Sequence, residues 1–234
     1  MDEQQDFSYI RRNLESIRAR ADAAAAASPY GQPYELLLAT KYATADEINY
    51  AHALGVNKIG ENRVQSLLEK YDALHRDGLD IHFIGSLQKN KVKYIIDKVS
   101  MIESLDSLPL AEEIERQAAK QDKVMDCLIE VNIGREVQKG GVLPEDAADF
   151  AEKVALFPHI RLCGIMTMAP KCTDISDYRK YFRESYHIFI DICEKKLHNV
   201  DRHVLSMGMS QSFEAALAEG ATLIRVGRAV FEKE

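Results

Sequence analysis

The fold of this chain is decided by the stretch LLLATK, from Leu36 to Lys41, in which an apolar run ends in a lysine. Short apolar runs of this kind are typical of strands that are buried on both faces, as in a parallel sheet covered by helices. The preceding segment SPYGQP, residues 28–33, combines proline and glycine and marks a break before the strand. The pattern therefore predicts a buried first strand with a basic side chain at its carboxyl end.

Apolar runs alternate with stretches of helical periodicity through the rest of the chain. The predicted strands are Glu35–Lys41, Lys58–Glu61, Ile81–Gly85, Met101–Leu105, Asp126–Asn132, Arg161–Thr167, His203–Met207 and Leu223–Gly227. The predicted helices cover residues 7–27, 44–54, 62–74, 89–97, 107–121, 144–156, 174–198 and 212–219. This alternation within 234 residues favours an α/β fold, a single (β/α)8 barrel of the TIM type. A doubly wound open sheet is the alternative, but the Gly-x-Gly-x-x-Gly turn that often follows its first strand is missing.

The helix predicted over residues 7–27 stands outside the eight βα units. Its apolar residues recur along one face at Phe7, Ile10, Leu14 and Ile17. The pattern is shorter than the roughly three to four heptads that indicate a coiled coil. We therefore expect residues 1–27 to form an extra helix that covers one end of a single barrel domain spanning residues 1–234.

The composition is that of a globular protein, with 46% apolar and 29% charged residues. A formal charge of −7 argues against a general nucleic-acid surface, because such surfaces cluster Lys and Arg. The acidic amino terminus lacks the apolar core of a signal peptide, and no segment approaches the roughly 20 apolar residues of a membrane span. The cysteines at 127, 163, 172 and 193 have no metal-ligand spacing. We expect a cytoplasmic protein with reduced thiols and without a bound metal.

Lys41 is a candidate for covalent binding of a carbonyl cofactor. Barrels carry their functional groups at the carboxyl ends of the strands, and Lys41 ends the first predicted strand. Burial at this position disfavours the ammonium form, and the resulting amine is a nucleophile that forms a Schiff base with an aldehyde. The alternative is a lysine that reaches solvent or pairs with Glu61 at the neighbouring strand end.

The ends of the last two predicted strands favour a phosphate site. Barrels often bind phosphate in the loops after strands seven and eight, through backbone N–H groups and a helix N-terminus. The segment SMGMS begins at Ser206, and its Gly208 permits close approach of the backbone, as does Gly227 at the end of the eighth strand. The alternative is that both glycines only form turns that connect the elements. This is common for a single turn, but it is less expected for two turns that follow strands seven and eight.

Arg225 lies within an apolar run, so its guanidinium is expected to be buried and to require a partner. In a pyridoxal 5′-phosphate site it would donate to the pyridine nitrogen. Because arginine keeps its proton, that nitrogen would stay unprotonated and the ring would be a weak electron sink. A structural ion pair with Glu130 or Glu61 is the equally weighted alternative. Together with Lys41 and the phosphate loops, Arg225 predicts a pyridoxal 5′-phosphate site.

Segments along the whole chain resemble those of a known family. They are ATK at 39–41, GENRVQ at 60–65, HFIGSLQKNK at 82–91, VNIG at 131–134, GIMTM at 164–168, LSMGMS at 205–210 and IRVG at 224–227. In this order they are similar to the pyridoxal phosphate homeostasis protein family, also called the YggS or proline synthetase co-transcribed family. The serine-methionine-glycine-methionine-serine segment is the most specific of them.

The resemblance implies a barrel like the N-terminal domain of alanine racemase, with pyridoxal 5′-phosphate as cofactor. The cofactor-binding residues that it implies are Lys41, Asn62, Ser206, Met207, Arg225, Gly227 and Arg228. By position, Lys41 carries the cofactor, Arg225 faces the pyridine nitrogen and Asn62 lies near the ring. The other residues hold the phosphate, through the Ser206 hydroxyl and through backbone groups. Arg228 departs from the family pattern, because many members have threonine or serine there, and this removes one phosphate hydroxyl.

The resemblance also implies a role in cofactor homeostasis and delivery, with apo-enzymes that use pyridoxal phosphate as partners of a monomer or weak homodimer. The alternative is an amino-acid racemase of the alanine racemase type. A racemase needs two positioned acid/base groups. In alanine racemase, the resemblance implies, the second one depends on a C-terminal β domain, whereas seven residues follow Gly227 here. We therefore expect no significant turnover beyond a weak side activity with a tyrosine such as Tyr42 as base.

Overall fold

Eight parallel strands form a closed barrel in which each strand pairs with its neighbours in sequence and the last strand pairs with the first. This computed structural model describes residues 6–195, 197 and 200–233, with the side chains of residues 200–203 excluded. The strands are β1 (Glu35–Ala39), β2 (Lys58–Glu61), β3 (Asp80–Phe83), β4 (Met101–Leu105), β5 (Met125–Val131), β6 (Ile160–Thr167), β7 (Val200–Ser206) and β8 (Leu223–Val226). The predicted (β/α)8 barrel is confirmed, and its closure places the first and last strands side by side.

Helices occupy the intervals between the strands on the outside of the barrel. They are α1 (Ser8–Ala26), α2 (Ala45–Ala53), α3 (Val64–Tyr71), α4 (Leu108–Lys120), α5 (Ala147–Val154), α6 (Ile175–Glu194), α7 (Phe213–Ala218) and α8 (Arg228–Phe231). Two short 3-10 helices, Lys89–Tyr94 and Pro144–Asp146, complete the connections. Among the described residues, no helix has both the length and the apolar composition needed to cross a lipid bilayer.

The predicted helices differ from the observed ones at their ends. The helix predicted over residues 89–97 is a 3-10 helix that ends at Tyr94. The helix predicted over residues 174–198 ends at Glu194, and residues 196, 198 and 199 lie outside the described part of the chain. Helix α8 was not predicted, because a helix of four residues is too short to show a periodic pattern.

Side chains that point into the barrel form a core of their own. Its apolar members are Leu37, Ile84, Met101, Leu128, Cys163, Met166, Val204 and Leu223. Because strand residues alternate between two faces, residues two positions away from these also point inward. Four buried polar residues meet this condition, namely His82, Glu103, Ser206 and Arg225. The interior of the barrel is therefore apolar in one part and polar in another.

Helix α1 packs against helices of the first and last units of the barrel, namely α2, α7 and α8. Arg18 donates to the carbonyl of Leu54 after α2 at 3.2 Å. Arg20 forms an ion pair with Glu214 of α7 at 2.8 Å, and Asn13 donates to the carbonyl of Val230 in α8 at 3.1 Å. The helix therefore covers the seam where the first and last units of the barrel meet. Residues 1–5 of the expected covering segment lie outside the described residues.

Strand β6 contains a bulge that requires glycine at position 164. The pairing register of β6 shifts relative to both of its neighbours next to this residue. Gly164 has a φ of 143°, and a Cβ atom there would lie 1.9 Å from the carbonyl oxygen of Val204. Both the backbone conformation and the close approach of β7 exclude a larger residue.

Replacing Gly164 with alanine should therefore lower the free energy of unfolding by about 2–5 kcal/mol, since strain and overpacking add. Gly31→Ala is the matched control, because Gly31 has a φ of 61° and a Cβ atom there would have no neighbour within 4 Å. That variant should lose only about 1 kcal/mol. Urea unfolding of both variants measures the difference. Equal losses would mean that β6 relaxes around the added methyl group.

Candidate functional site

Lys41 lies at the carboxyl end of β1, but it is exposed rather than buried. Strand β1 ends at Ala39, and the chain turns there, with the N–H of Ala43 donating to the carbonyl of Thr40 at 3.0 Å. Nζ of Lys41 lies 4.9 Å from the ring centroid of Tyr42, whose own exposure is 76%. The expectation that burial alone activates this amine is therefore wrong, because the strand stops two residues before the lysine.

Glu61 does not pair with Lys41, and one alternative from the sequence is thereby removed. Its carboxylate is 1% exposed and forms an ion pair with Lys70 of α3. The same carboxylate accepts a hydrogen bond from the hydroxyl of Thr40 at 2.7 Å. The amine of Lys41 is therefore left without this counter-charge, although both residues line one cleft.

That cleft has a volume of about 310 Å³ and opens at the carboxyl ends of β1 and β2. It is lined by Lys41, Tyr42, Glu61, Asn62, Arg63 and Ser66. Its volume falls at the lower limit of the range of roughly 300–1,000 Å³ for small-molecule sites. Larger clefts of about 570, 420 and 360 Å³ lie elsewhere on the surface, but none of them is lined by a predicted site residue. The cleft beside Lys41 is therefore the candidate binding site.

Asn62 lies between this cleft and the next strand. It is half-buried directly after β2. A Cβ atom at Gly85 would lie 2.1 Å from the carbonyl oxygen of Asn62, so the chain after β3 packs tightly against it. Its neighbours thus fix the backbone of Asn62, while the residue itself lines the cleft.

Arg225 is buried inside the barrel, with 4% exposure. Its Nη2 donates to the carbonyl of Thr167 at 2.7 Å, and its Nη1 donates to the hydroxyl of Ser206. Burial lowers the pKa of Arg225, against the opposing effect of Glu103 and Glu130. A guanidinium nevertheless stays charged in proteins. The predicted burial of Arg225 is confirmed.

The carboxylate within ion-pair distance of Arg225 is Glu103, not Glu130 or Glu61. Its Oε2 lies 4.0 Å from Nη1 of Arg225 and accepts a hydrogen bond from Ser206 at 2.6 Å, and its Oε1 lies 2.6 Å from Nδ1 of His82. Burial raises the pKa of Glu103, but the hydrogen bond and charge of His82, the charge of Arg225 and the hydrogen bond from Ser206 outweigh this and hold it below its ordinary value. Sequence reasoning missed Glu103, although an acidic residue inside the apolar strand MIESL was the available signal.

The hydroxyl of Ser206 is engaged inside the protein by both Arg225 and Glu103. The N–H of Met207 donates to the carbonyl of Leu223 at 3.0 Å, so this one backbone group is already engaged within the barrel. A Cβ atom at Gly208 would lie 2.9 Å from Cα of Phe213. Packing against α7 therefore accounts for glycine at this position without a ligand.

Gly227 has a similar explanation, because a Cβ atom there would lie 2.6 Å from the carbonyl oxygen of Ala39. This contact brings the end of β8 against the end of β1. Arg228 follows as the first residue of α8 and is exposed. The structure thus places the loop after β8 next to the strand that leads to Lys41.

Glu130 adds a titratable group to the same end of the barrel. It lies at the end of β5 and is two residues from the inward-pointing Leu128. Burial, followed by the charge of Asp106, raises its pKa to about 7, while Arg225 opposes the shift. Burial therefore moves the pKa of this carboxyl group into the neutral range.

Comparison with known proteins identifies the family. The family model for the N-terminal domain of alanine racemase matches residues 6–233. A pyridoxal phosphate homeostasis protein from Aquifex aeolicus is 43% identical over 197 residues, which cover 84% of this chain and 86% of that protein. One from Pseudomonas aeruginosa is 33% identical over 226 residues, with 96% of each chain covered. This chain belongs to the pyridoxal phosphate homeostasis protein family.

Solved structures share the barrel of this homeostasis family member. An unknown protein from Bifidobacterium adolescentis superposes with a TM-score of 0.89 at 33% identity and 98% coverage of both chains. PipY from Synechococcus elongatus PCC7942, solved with PLP bound, has a TM-score of 0.82 at 27% identity, with 95% of this chain and 100% of that chain covered. Alanine racemase from Clostridium difficile, at 14% identity and a TM-score of 0.71, shares the fold alone.

The raised pKa of Glu130 predicts a pH dependence of stability in this family member. Folding favours the neutral acid, so stability is retained below about pH 4.5 and lost as the pH rises to about 7, by up to about 3 kcal/mol. Glu130→Gln should remove this loss, and Glu112→Gln, at an exposed position on α4, should not. Urea unfolding between pH 4.5 and pH 8 measures the difference. Parallel curves for wild type and Glu130→Gln would contradict it.

Proposed function

We propose that this protein binds pyridoxal 5′-phosphate at the carboxyl end of its barrel, holds it as a Schiff base on Lys41, and takes part in its homeostasis and delivery. One observation carries the proposal. An accessible amine, Lys41, follows the end of β1, and a buried permanent cation, Arg225, lies near the carboxyl end of the adjacent strand β8. The names of the relatives and the PLP bound to PipY support the same ligand.

The chemistry of the donor set fits this cofactor. Pyridoxal 5′-phosphate presents an aldehyde, an aromatic nitrogen and a phosphate dianion, which call for an amine, a hydrogen-bond donor and several N–H groups. Lys41 supplies the amine. The guanidinium of Arg225 has five N–H donors, and its hydrogen bonds to Ser206 and Thr167 use two of them. Backbone groups around Gly208 and Gly227, with Arg228, are the proposed phosphate contacts, and Ser206 would join them when its hydroxyl turns from Glu103 to the phosphate.

When bound, the cofactor supplies an electron sink, and the residues of this chain determine how strong that sink is. Arg225 keeps its proton, so the proposed contact leaves the pyridine nitrogen unprotonated. The carboxylate of Glu103 lies 4.0 Å from the guanidinium and stabilises its positive charge. Asn62, which lines the cleft, would lie near the ring. Such a site would retain the cofactor but leave it a weak electron sink, which favours a carrier over an enzyme.

A racemase is the alternative, and it needs an acid/base group on each face of the substrate. Tyr42 is the tyrosine that lines the cleft with Lys41, and its ring lies 4.9 Å from the lysine Nζ. Because the two side chains contact each other, a substrate does not fit between them. We therefore propose a cytoplasmic carrier that acts as one barrel domain, as a monomer or weak homodimer, and passes its cofactor to apo-enzymes.

Replacing Lys41 with alanine should abolish the visible absorption of the Schiff base, because the variant lacks the amine that forms the C=N bond. Lys171→Ala is the matched control, since Lys171 is an exposed lysine in the loop after β6. Absorption spectra after addition of pyridoxal 5′-phosphate, and mass spectrometry after borohydride reduction, make the comparison. A visible band in Lys41→Ala would exclude Lys41 as the anchor.

The holo-protein should not racemise amino acids at an enzymatic rate. Incubation with L-alanine and other L-amino acids, followed by chiral chromatography, should give a turnover far below about 1 s⁻¹, the lower limit of typical enzyme rates. The control is free pyridoxal 5′-phosphate at the same concentration. A turnover at or above that limit would establish the racemase and overturn the carrier.

A further inference from the structure

The loop that carries Lys41 is held by a second lysine, which has no role in the proposed chemistry. Nζ of Lys70 donates to the carbonyl oxygens of Thr40 at 2.9 Å and of Ala43 at 3.2 Å. These two carbonyls flank Lys41 and Tyr42 in the sequence. Lys70 therefore restrains the backbone immediately before Lys41 and immediately after Tyr42.

The geometry of this ammonium group is fully determined. An ammonium has three N–H donors, and the third acceptor is the carboxylate of Glu61. The side chains of Lys70 and Glu61 are 14% and 1% exposed. A charge buried to this degree is stable only when it is paired and hydrogen-bonded. The three bonds therefore hold Lys70, and with it the turn, in one arrangement.

The location of this cluster links it to the amine. Glu61, which anchors Lys70, also lines the cleft that contains Lys41. An exposed lysine has many rotamers, so the placement of its amine depends on a fixed backbone. Reaction rates are sensitive to placement, and a displacement of about 1 Å costs up to about 100-fold.

We propose that Lys70, anchored by Glu61, is a positioning residue that presents the amine of Lys41 to the aldehyde of the cofactor. This inference rests on the proposed function. In the covalent step the Lys41 amine adds to the aldehyde carbon, its two protons leave with the aldehyde oxygen as water, and a C=N bond replaces the C=O bond. Lys70 exchanges no atom in that step and acts only through the backbone of the turn.

The chain contains a matched control for this device. Lys123 also donates from Nζ to two carbonyls of one segment, those of Ile96 at 2.9 Å and Val99 at 2.7 Å. It precedes β5, and its acceptors precede β4, so it lies at the amino end of the barrel, away from Lys41. Loss of Lys123 removes the same kind of contact without reaching the site.

The experiment compares full-length wild type, Lys70→Met and Lys123→Met. Stopped-flow absorption follows formation of the Schiff base with pyridoxal 5′-phosphate, and calorimetry measures the affinity for pyridoxine 5′-phosphate, whose alcohol cannot form a C=N bond. We expect Lys70→Met to form the Schiff base about 10–100-fold more slowly. Its affinity for pyridoxine 5′-phosphate should equal that of wild type, and Lys123→Met should match wild type in both measurements.

A second variant covers the case in which Lys70→Met fails to fold because it leaves Glu61 buried without its cation. The double variant Glu61→Gln/Lys70→Met removes both charges and should show the same slow formation. Wild-type rates in whichever Lys70 variant folds would overturn the inference. So would an equal slowing in Lys123→Met, or an equal loss of affinity for pyridoxine 5′-phosphate. A wild-type protein without the visible band would instead reject the proposed Schiff base itself, together with the inference.

Discussion

The polar half of the barrel interior depends on one constraint, which is that the buried guanidinium of Arg225 must be satisfied. A buried charge without partners is too costly to persist, so neighbouring strands have to supply acceptors. Ser206 on β7, Thr167 on β6 and Glu103 on β4 meet this need. His82 on β3 then completes the bonding of Glu103. One arginine thereby determines the character of side chains on three other strands, β3, β4 and β7, and uses a backbone carbonyl of a fourth, β6.

The two cations of the candidate site differ in burial, and the difference suits their proposed roles. Arg225 is buried, where its charge is fixed and its remaining N–H groups are directed by the surrounding bonds. Lys41 is exposed on a turn, where its amine is accessible to an incoming aldehyde. Burial does not hold Lys41 in position. Lys70 instead donates to the backbone carbonyls on either side of Lys41 and Tyr42. In the proposed carrier, an accessible anchor would serve both the capture and the release of the ligand.

The strands were predictable from the sequence, but their ends were less so. All eight apolar runs are strands, because burial on both faces leaves a pattern that is local in the sequence. The ends depend on where backbone hydrogen bonds stop, which is a property of the neighbouring strand. The error at β1 mattered most, because it moved Lys41 from a buried strand end to an exposed turn. The helix Arg228–Phe231 was missed because four residues show no period.

The sequence by itself determined the fold class, the order of the strands and the residue types at their carboxyl ends, because these follow from hydrophobic pattern and chain order. It singled out Lys41 and Arg225 for the same reason, since each is a cation next to or within an apolar run. Only the tertiary structure decided which carboxylate serves which cation. Glu103 lies near Arg225, and Glu61 forms an ion pair with Lys70. Barrel closure and strand register bring these residues together from distant parts of the chain, and no local sequence pattern encodes such a distance.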